Sequence, residues 1–319
     1  QIWLPELKRA DRCTTCHQAV SWKGFENAEE PLRTHPAEIL KQHPVEKYGC
    51  TACHGGQPHA VDDKSALMQM NCNSCHRYDR ETPGASEINL AKKIVREKGC
   101  RACHVINGRG GSIGPDLTNE GDKAAEQFEY GRLNGQHSAF AWHVAHLKDP
   151  RALVPETVMP NFHLSTREAQ AIAMMVMSWK REKLPATYLA GAPRTDPQTK
   201  DEVEAEQRMK TGPGAWFVKT GCFVCHSISA LGVTSPAQIG PDLSIAVDDV
   251  QSRFGRTLED FLREPTGTMS VVLSRQIILS PEEKAVAVQK LHEAFAEYQK
   301  QKAAKALTPA APAHEGAKP

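Results

Sequence analysis

Gly99-Cys100-Arg101-Ala102-Cys103-His104, followed by Ile113-Gly114-Pro115-Asp116-Leu117, is the stretch that decides the reading of this chain. The same parts recur in the same order as Gly221-Cys222-Phe223-Val224-Cys225-His226 and Ile239-Gly240-Pro241-Asp242-Leu243. Behind the first copy stand Met159 and Leu164-Ser165-x-x-Glu168; behind the second stand Met269 and Leu279-Ser280-x-x-Glu283. Only the loop lengths differ, so the two stretches form an internal repeat. Ser165 with Glu168, and Ser280 with Glu283, are capping boxes that start helices. The first of these helices is expected to run to Lys183, before Pro185. The second, with Pro281 at its first position, is expected to run to about Lys305. Shorter helices are expected before each motif, at 88–98 and 215–220.

Working outward, the remaining cysteines obey the same rule. The pairs are Cys13/Cys16, Cys50/Cys53, Cys72/Cys75, Cys100/Cys103 and Cys222/Cys225. Each is Cys-x-x-Cys, and each is followed at once by a histidine: His17, His54, His76, His104 and His226. No cysteine is left over. Zinc knuckles and redox dithiols use Cys-x-x-Cys too, and a disulfide framework would explain the cysteines alone. With 14 His in 319 residues, five adjacent histidines by chance have odds on the order of one in ten million. Cys-x-x-Cys-His is the attachment motif of c-type haem. The thiols form thioethers to the porphyrin, and the histidine becomes the proximal iron ligand. The sequence thus predicts five covalently bound haem c groups and an exported, periplasmic protein. No leader-like segment opens the chain at Gln1, which leaves room for one removed ahead of it.

The motifs begin at 13, 50, 72, 100 and 222. The first three are too crowded for one domain each, whereas the last two are far enough apart. The expected organisation is a trihaem module at 1–86, a single-haem domain at 87–185, a proline-bearing linker at 186–201, a second single-haem domain at 202–306 and a low-complexity tail at 307–319. No alternating strand pattern of useful length appears. The fold class is mostly α with extensive loops. The longest apolar run, 169–179, is far short of a membrane span, so a direct span is not expected. The net charge of +1 gives no field for nucleic acid. Ten haem propionates would make the loaded protein acidic.

For the sixth ligands, the first 86 residues hold three spare histidines, His35, His43 and His59, matching three haems. They are expected as distal ligands, with the pairing left open. In the repeated domains Met159 and Met269 are expected in that role. Met174, Met175, Met177 and Met209 read as core filler. His137, His143, His146 and His163 read as surface or propionate-side groups.

Residues 88–184 and 202–305 resemble class I cytochrome c domains, where a helix precedes the haem motif and a Gly-Pro-x-Leu turn follows it. That resemblance implies that the carbonyls of Pro115 and Pro241 orient His104 and His226. It also implies a methionine ligand from a loop before the last helix, at Met159 and Met269. The N-terminal part is similar to segments of multihaem cytochromes c in quinol-oxidising, cytochrome b-type membrane complexes. Thr34-His35-Pro36, His43-Pro-Val-Glu-Lys-Tyr-Gly-Cys50 and Cys53-His-Gly-Gly-Gln57 carry that likeness. It implies partner subunits of a cytochrome bc-type complex and a redox-partner cytochrome or other acceptor.

Methionine in place of histidine raises a haem's potential. The sequence therefore predicts electron relay from a lower-potential trihaem cluster to two higher-potential haems. No catalytic residue is expected, because three His and two Met fill all five irons. A multihaem peroxidase or reductase is the main rival, and a subunit of an extracellular cytochrome filament is another. The glycines at Gly108, Gly110 and Gly111 lack the context of a phosphate loop.

Overall fold

The computed structural model describes residues 1–55, 66–181, 184–189 and 198–306. His59, residues 190–197 of the expected linker and the low-complexity tail lie outside these. The chain divides into two compact units, Gln1–Glu97 with His104–Pro197, and Lys98–Cys103 with Gln198–Pro319. Helices dominate both. Among the described residues the only sheet is a hairpin of two three-residue strands, β1 (Ile2–Leu4) and β2 (Arg9–Asp11), in antiparallel register with Ile2 opposite Asp11. Leu4 is fully buried in it.

In the first unit the hairpin is followed by short helices around the early motifs: α1 (Ala37–Gln42), α2 (Val45–Tyr48) and α3 (Thr51–His54). Two of them start directly after a proline, Pro36 and Pro44, whose fixed φ suits a helix entry. Next come α4 (Ala66–Cys75), α5 (Ser86–Glu97), α6 (Ala139–Lys148), α7 (Pro150–Leu153) and α8 (Thr166–Ser178). The core is α8, against which α4, α5 and α6 all pack. Its Ala169, Ala171 and Ala173 are fully buried, and such small residues let the neighbouring helices approach closely. From α5, Ile88, Ala91, Ile94 and Val95 supply the facing apolar stripe. Arg167 of α8 reaches Glu87 of α5 through both Nε and Nη2, at 3.2 and 2.7 Å. Asn73 of α4 donates to Ser178 of α8 at 2.6 Å.

The capping box at Ser165 is formed: the Glu168 N–H donates to Ser165 Oγ at 3.3 Å, and the Ser165 N–H to Glu168 Oε2 at 2.7 Å. The helix stops at Ser178 and not near Lys183. Trp179 turns inward, 3 % exposed, and its carbonyl accepts the Gly121 N–H at 2.8 Å. The first residues of the expected linker, Ala186–Tyr188, form a 3-10 turn with Tyr188 buried. The Thr187 carbonyl there accepts from Lys47 Nζ at 3.0 Å.

The second unit contains α9 (Lys200–Thr211), α10 (Ala215–Lys219), α11 (Ala246–Phe254), α12 (Leu258–Arg263), α13 (Thr268–Val271) and α14 (Pro281–Ala306). Helix α9 begins inside the expected linker, at a capping box of Thr199 and Glu202 that the sequence reading passed over. Phe217, Ile228, Val250, Phe261, Leu262 and Leu291 anchor one apolar core. Gln301 Nε2 of α14 donates to the Ala230 carbonyl at 3.0 Å, which ties the end of the last helix to the loop behind the fifth motif. No described helix is long and apolar enough to cross a membrane.

Candidate haem sites

In both repeated stretches the first cysteine opens a 3-10 turn, Cys100–Ala102 and Cys222–Val224, entered through Gly99 at φ +63° and Gly221 at φ +83°. That left-handed entry suits glycine. Past the turn, His104 Nδ1–H donates to the Pro115 carbonyl at 2.8 Å, and His226 Nδ1–H to the Pro241 carbonyl at 2.8 Å. Each bond fixes the ring and the tautomer, leaving Nε2 for a metal. The pentapeptide Ile-Gly-Pro-Asp-Leu now has a mechanical reading. A Cβ on Gly114 would sit 2.5 Å from His104 Cε1, and one on Gly240 2.4 Å from His226 Cε1. The aspartates close the turn, Asp116 accepting the Thr118 N–H at 2.7 Å and Asp242 the Ser244 N–H at 2.8 Å. The leucine N–H groups bond back to the haem-motif loop, Leu117 to the Val105 carbonyl and Leu243 to the Ser227 carbonyl. Burial lowers the pKa of both His104 and His226 against the raising pull of their proline carbonyls. A neutral imidazole is the form that binds iron.

All ten cysteines are free thiols, so no disulfide competes for them. Burial pushes the thiol of Cys50 up to about 12, Cys100 up to about 11 and Cys103 up to about 12. A zinc or catalytic site needs thiolates. Burial disfavours a bare thiolate in these surroundings, whereas a thioether carries no charge to desolvate.

Cys16 departs from the other cysteines. It is exposed, whereas the remaining nine are half-buried. The sequence pattern itself does not distinguish it from the other nine. The reason is local. The first motif turns through Cys13–Thr15 directly after β2, and the Cys13 N–H is tied to the buried Asp11 carboxylate at 3.1 Å. That bond draws Cys13 inward. Cys16 comes at the far end of the turn, held there by its N–H to the Cys13 carbonyl at 3.2 Å, with exposed Thr15 before it. Cys16 is therefore exposed at the end of the first motif's turn.

The three early motifs lie side by side. Cys13 Sγ and Cys50 Sγ are within 4.8 Å of each other. Cys72 adds to the upward push that burial gives the Cys53 thiol, and Asn71 Nδ2 donates to the Cys53 carbonyl at 2.8 Å. Two of their histidines have a carboxylate beside Nδ1 that no sequence spacing announces. His17 Nδ1 lies 3.4 Å from Glu30, and His76 Nδ1 lies 2.5 Å from Asp79. Lys92, 8 % exposed on α5, donates to the His76 and Asp79 carbonyls at 2.8 Å and to Thr82 Oγ1 at 3.0 Å. Only its place on the buried face of an amphipathic helix hinted at that role.

Two of the spare histidines face proximal ones. The rings of His35 and His54 are 6.2 Å apart between centres at 87°, and those of His43 and His76 are 6.0 Å apart at 70°. With a metal–imidazole bond of about 2.0 Å, two imidazoles on one metal place their ring centres about 6 Å apart. Both spare rings use Nδ1 locally, His35 toward the Pro36 carbonyl at 3.1 Å and His43 toward the Ile39 carbonyl at 3.2 Å. That leaves Nε2 for the metal on each. His59 is outside the described residues. In both pairs the ring centres lie at the separation that two imidazoles on one iron would have.

Met159 is half-buried in the irregular stretch before α8, its N–H donating to Thr157 Oγ1 at 3.1 Å. Met269 lies on α13 rather than in a loop, half-buried against the second core. Met174 and Met175 are buried in α8, and Met209 packs on the second core. His143 and His146 are not surface groups. His143 is 7 % exposed, and burial pulls both rings down to about 4. His143 Nε2 lies 3.8 Å from Glu120, too far for a hydrogen bond. His146 Nδ1 is buried without a partner.

The family model for cytochrome c matches residues 88–180. This stretch is similar to a cytochrome c domain. It implies covalent haem c, bound iron and electron transfer as its chemistry. Cytochrome c oxidase subunit 2 of Alkalihalophilus pseudofirmus is 28% identical over 102 residues, covering 31% of this chain and 28% of that protein. The chain thus spans under a third of that relative's length. No solved structure matches the chain.

Proposed function

We propose that the protein is a periplasmic pentahaem c-type cytochrome that relays electrons as a subunit of a membrane quinol-oxidising complex of the cytochrome bc type. The observation that carries the relay is the pairing of His35 with His54 and of His43 with His76 at about 6 Å. An imidazole on each side of an iron closes it to substrate, and a closed iron is suited to electron transfer rather than catalysis. We assign His35 and His54 to the second haem, and His43 and His76 to the third. His17 takes the first haem, with His59 as the remaining histidine. His104 with Met159, and His226 with Met269, hold the fourth and fifth.

When bound, the haems supply a one-electron couple at each iron. The chain's own residues set its level. Carbonyl and carboxylate acceptors on Nδ1 of His76, His104 and His226 make those imidazoles better donors. Thioether ligation at Met159 and Met269 raises the last two sites above the double-imidazole ones. Electrons would therefore run from the early motifs toward the later two and on to a redox partner. The partial likeness to an oxidase subunit supports a place beside a respiratory membrane complex. Mild-detergent purification followed by mass spectrometry tests that setting. Cytochrome b-type subunits in the same particle are expected; a chain recovered alone would make it a free shuttle.

A further inference from the structure

Asp11 is 2 % exposed, at the end of β2, and belongs to no haem motif. Its carboxylate accepts four hydrogen bonds that come from two motifs. Oδ1 takes the Cys13 N–H at 3.1 Å. Oδ2 takes the Cys50 N–H at 2.8 Å, the Thr51 N–H at 2.7 Å and the Thr51 hydroxyl at 2.8 Å. Burial would raise its pKa, yet the bonds from Thr51 and Cys13 outweigh burial and hold the carboxyl below the usual carboxylate range. The group is thus a permanent buried anion satisfied wholly by the first and second motifs.

A carboxylate oxygen of Asp11 and the Sγ atoms of Cys13 and Cys50 lie within 4.8 Å of one another. Such a triad invites a metal-ion reading. Both sulfurs, however, belong to haem-attachment pairs, and the carboxylate already accepts four donors. The arrangement is built from the other side as well. Gly49 has φ +68°, and a Cβ there would meet Asp11 Oδ2 and Leu4 Cδ1 at 2.8 Å each. The second motif can approach the carboxylate this closely only because residue 49 has no side chain.

We propose that Asp11 is a positioning residue that clamps the first two haem attachments together and lowers the potential of both. Each sulfur is bonded to a porphyrin edge in the loaded protein, so fixing sulfur against sulfur fixes edge against edge. The buried negative charge beside both sulfurs favours the more positive, oxidised form of each haem. This inference rests on the electron-relay reading and deepens it.

The test is a spectroscopic redox titration of the full, haem-loaded chain, with magnetic circular dichroism, for the parent, Asp11→Asn and Gly49→Ala. Asp11→Asn is expected to shift two of the five potentials upward, leave the other three in place, and lose electronic coupling between the shifted pair. Gly49→Ala keeps the charge but crowds the clamp; it is expected to lose the coupling with the first haem's potential unmoved. Peptide mapping of attached haem accompanies each variant. Haem loss confined to motifs one and two supports the clamp, and loss across all five overturns it. An Asp11→Asn protein with every potential and the coupling unchanged, or with all five shifted alike, overturns it too. A parent protein with five equal potentials sinks the relay reading instead, while the comparison of variants still reads out the clamp.

Discussion

Gly114 and Gly240 show how little room the proximal histidines have. Alanine at either position puts a methyl within 2.5 Å of an imidazole carbon. Gly114→Ala is expected to cost about 1–3 kcal/mol, as overpacking does, and to tilt His104 away from its proline carbonyl. Thermal unfolding with the absorption spectrum of the fourth haem checks both effects; an unchanged spectrum would mean that the loop yields instead. His143 carries a pH effect. Its folded-state pKa is pulled down to about 4, against about 6.5 unfolded. Between these values the unfolded chain binds more protons, so stability is full above about pH 6.5 and falls as pH drops toward 4. The loss is on the order of 2–3 kcal/mol. His143→Leu is expected to flatten this slope in denaturant titrations at stepped pH. A slope equal to the parent's would place the effect elsewhere. The haem motifs were legible residue by residue because covalent attachment demands fixed types at fixed spacing. Spacing does not report surroundings, however, and the exposure of Cys16 beside the half-buried Cys13 was not legible. Nor were Asp11, Glu30, Asp79 and Lys92, since each meets its motif through tertiary folding and has no spacing rule of its own.

At the scale of elements, local signals told where helices begin better than where they end. Ser165 with Glu168 and Ser280 with Glu283 mark starts that the structure uses. The end of α8 is set by Trp179, which leaves the helix to bury itself and to receive Gly121. Nothing local to 179–183 announces that. Thr199 with Glu202 was an available signal for α9, lost because nearby prolines suggested a linker. The approach of His35 to His54, and of His43 to His76, joins residues well separated along the chain and could not be read from counting. Ser165→Ala is expected to lower stability by about 1 kcal/mol, seen as a small drop in Tm with the haem spectra intact. Lys92→Met is expected to cost more, because it leaves the His76 and Asp79 carbonyls and the Thr82 hydroxyl without their buried donor. A loss of about 2–4 kcal/mol, with a disturbed third haem, is the outcome to look for by calorimetry and spectroscopy. A purely thermal effect would detach α5 from the third site.

For the whole molecule, low aromatic content, 6% of the chain, reads naturally once porphyrins share in the core. Charge would read differently too: five haems, as proposed, would add up to ten propionate charges to the +1 of the bare sequence. The central claim is a division of labour: double-imidazole haems feeding imidazole–thioether haems. Near-infrared magnetic circular dichroism of the fully oxidised protein, combined with a haem count per chain, tests it most directly. The expected result is five low-spin haems, three with two imidazoles and two with imidazole and thioether. A substantial five-coordinate, high-spin fraction, or fewer than five haems on the intact chain, would contradict it.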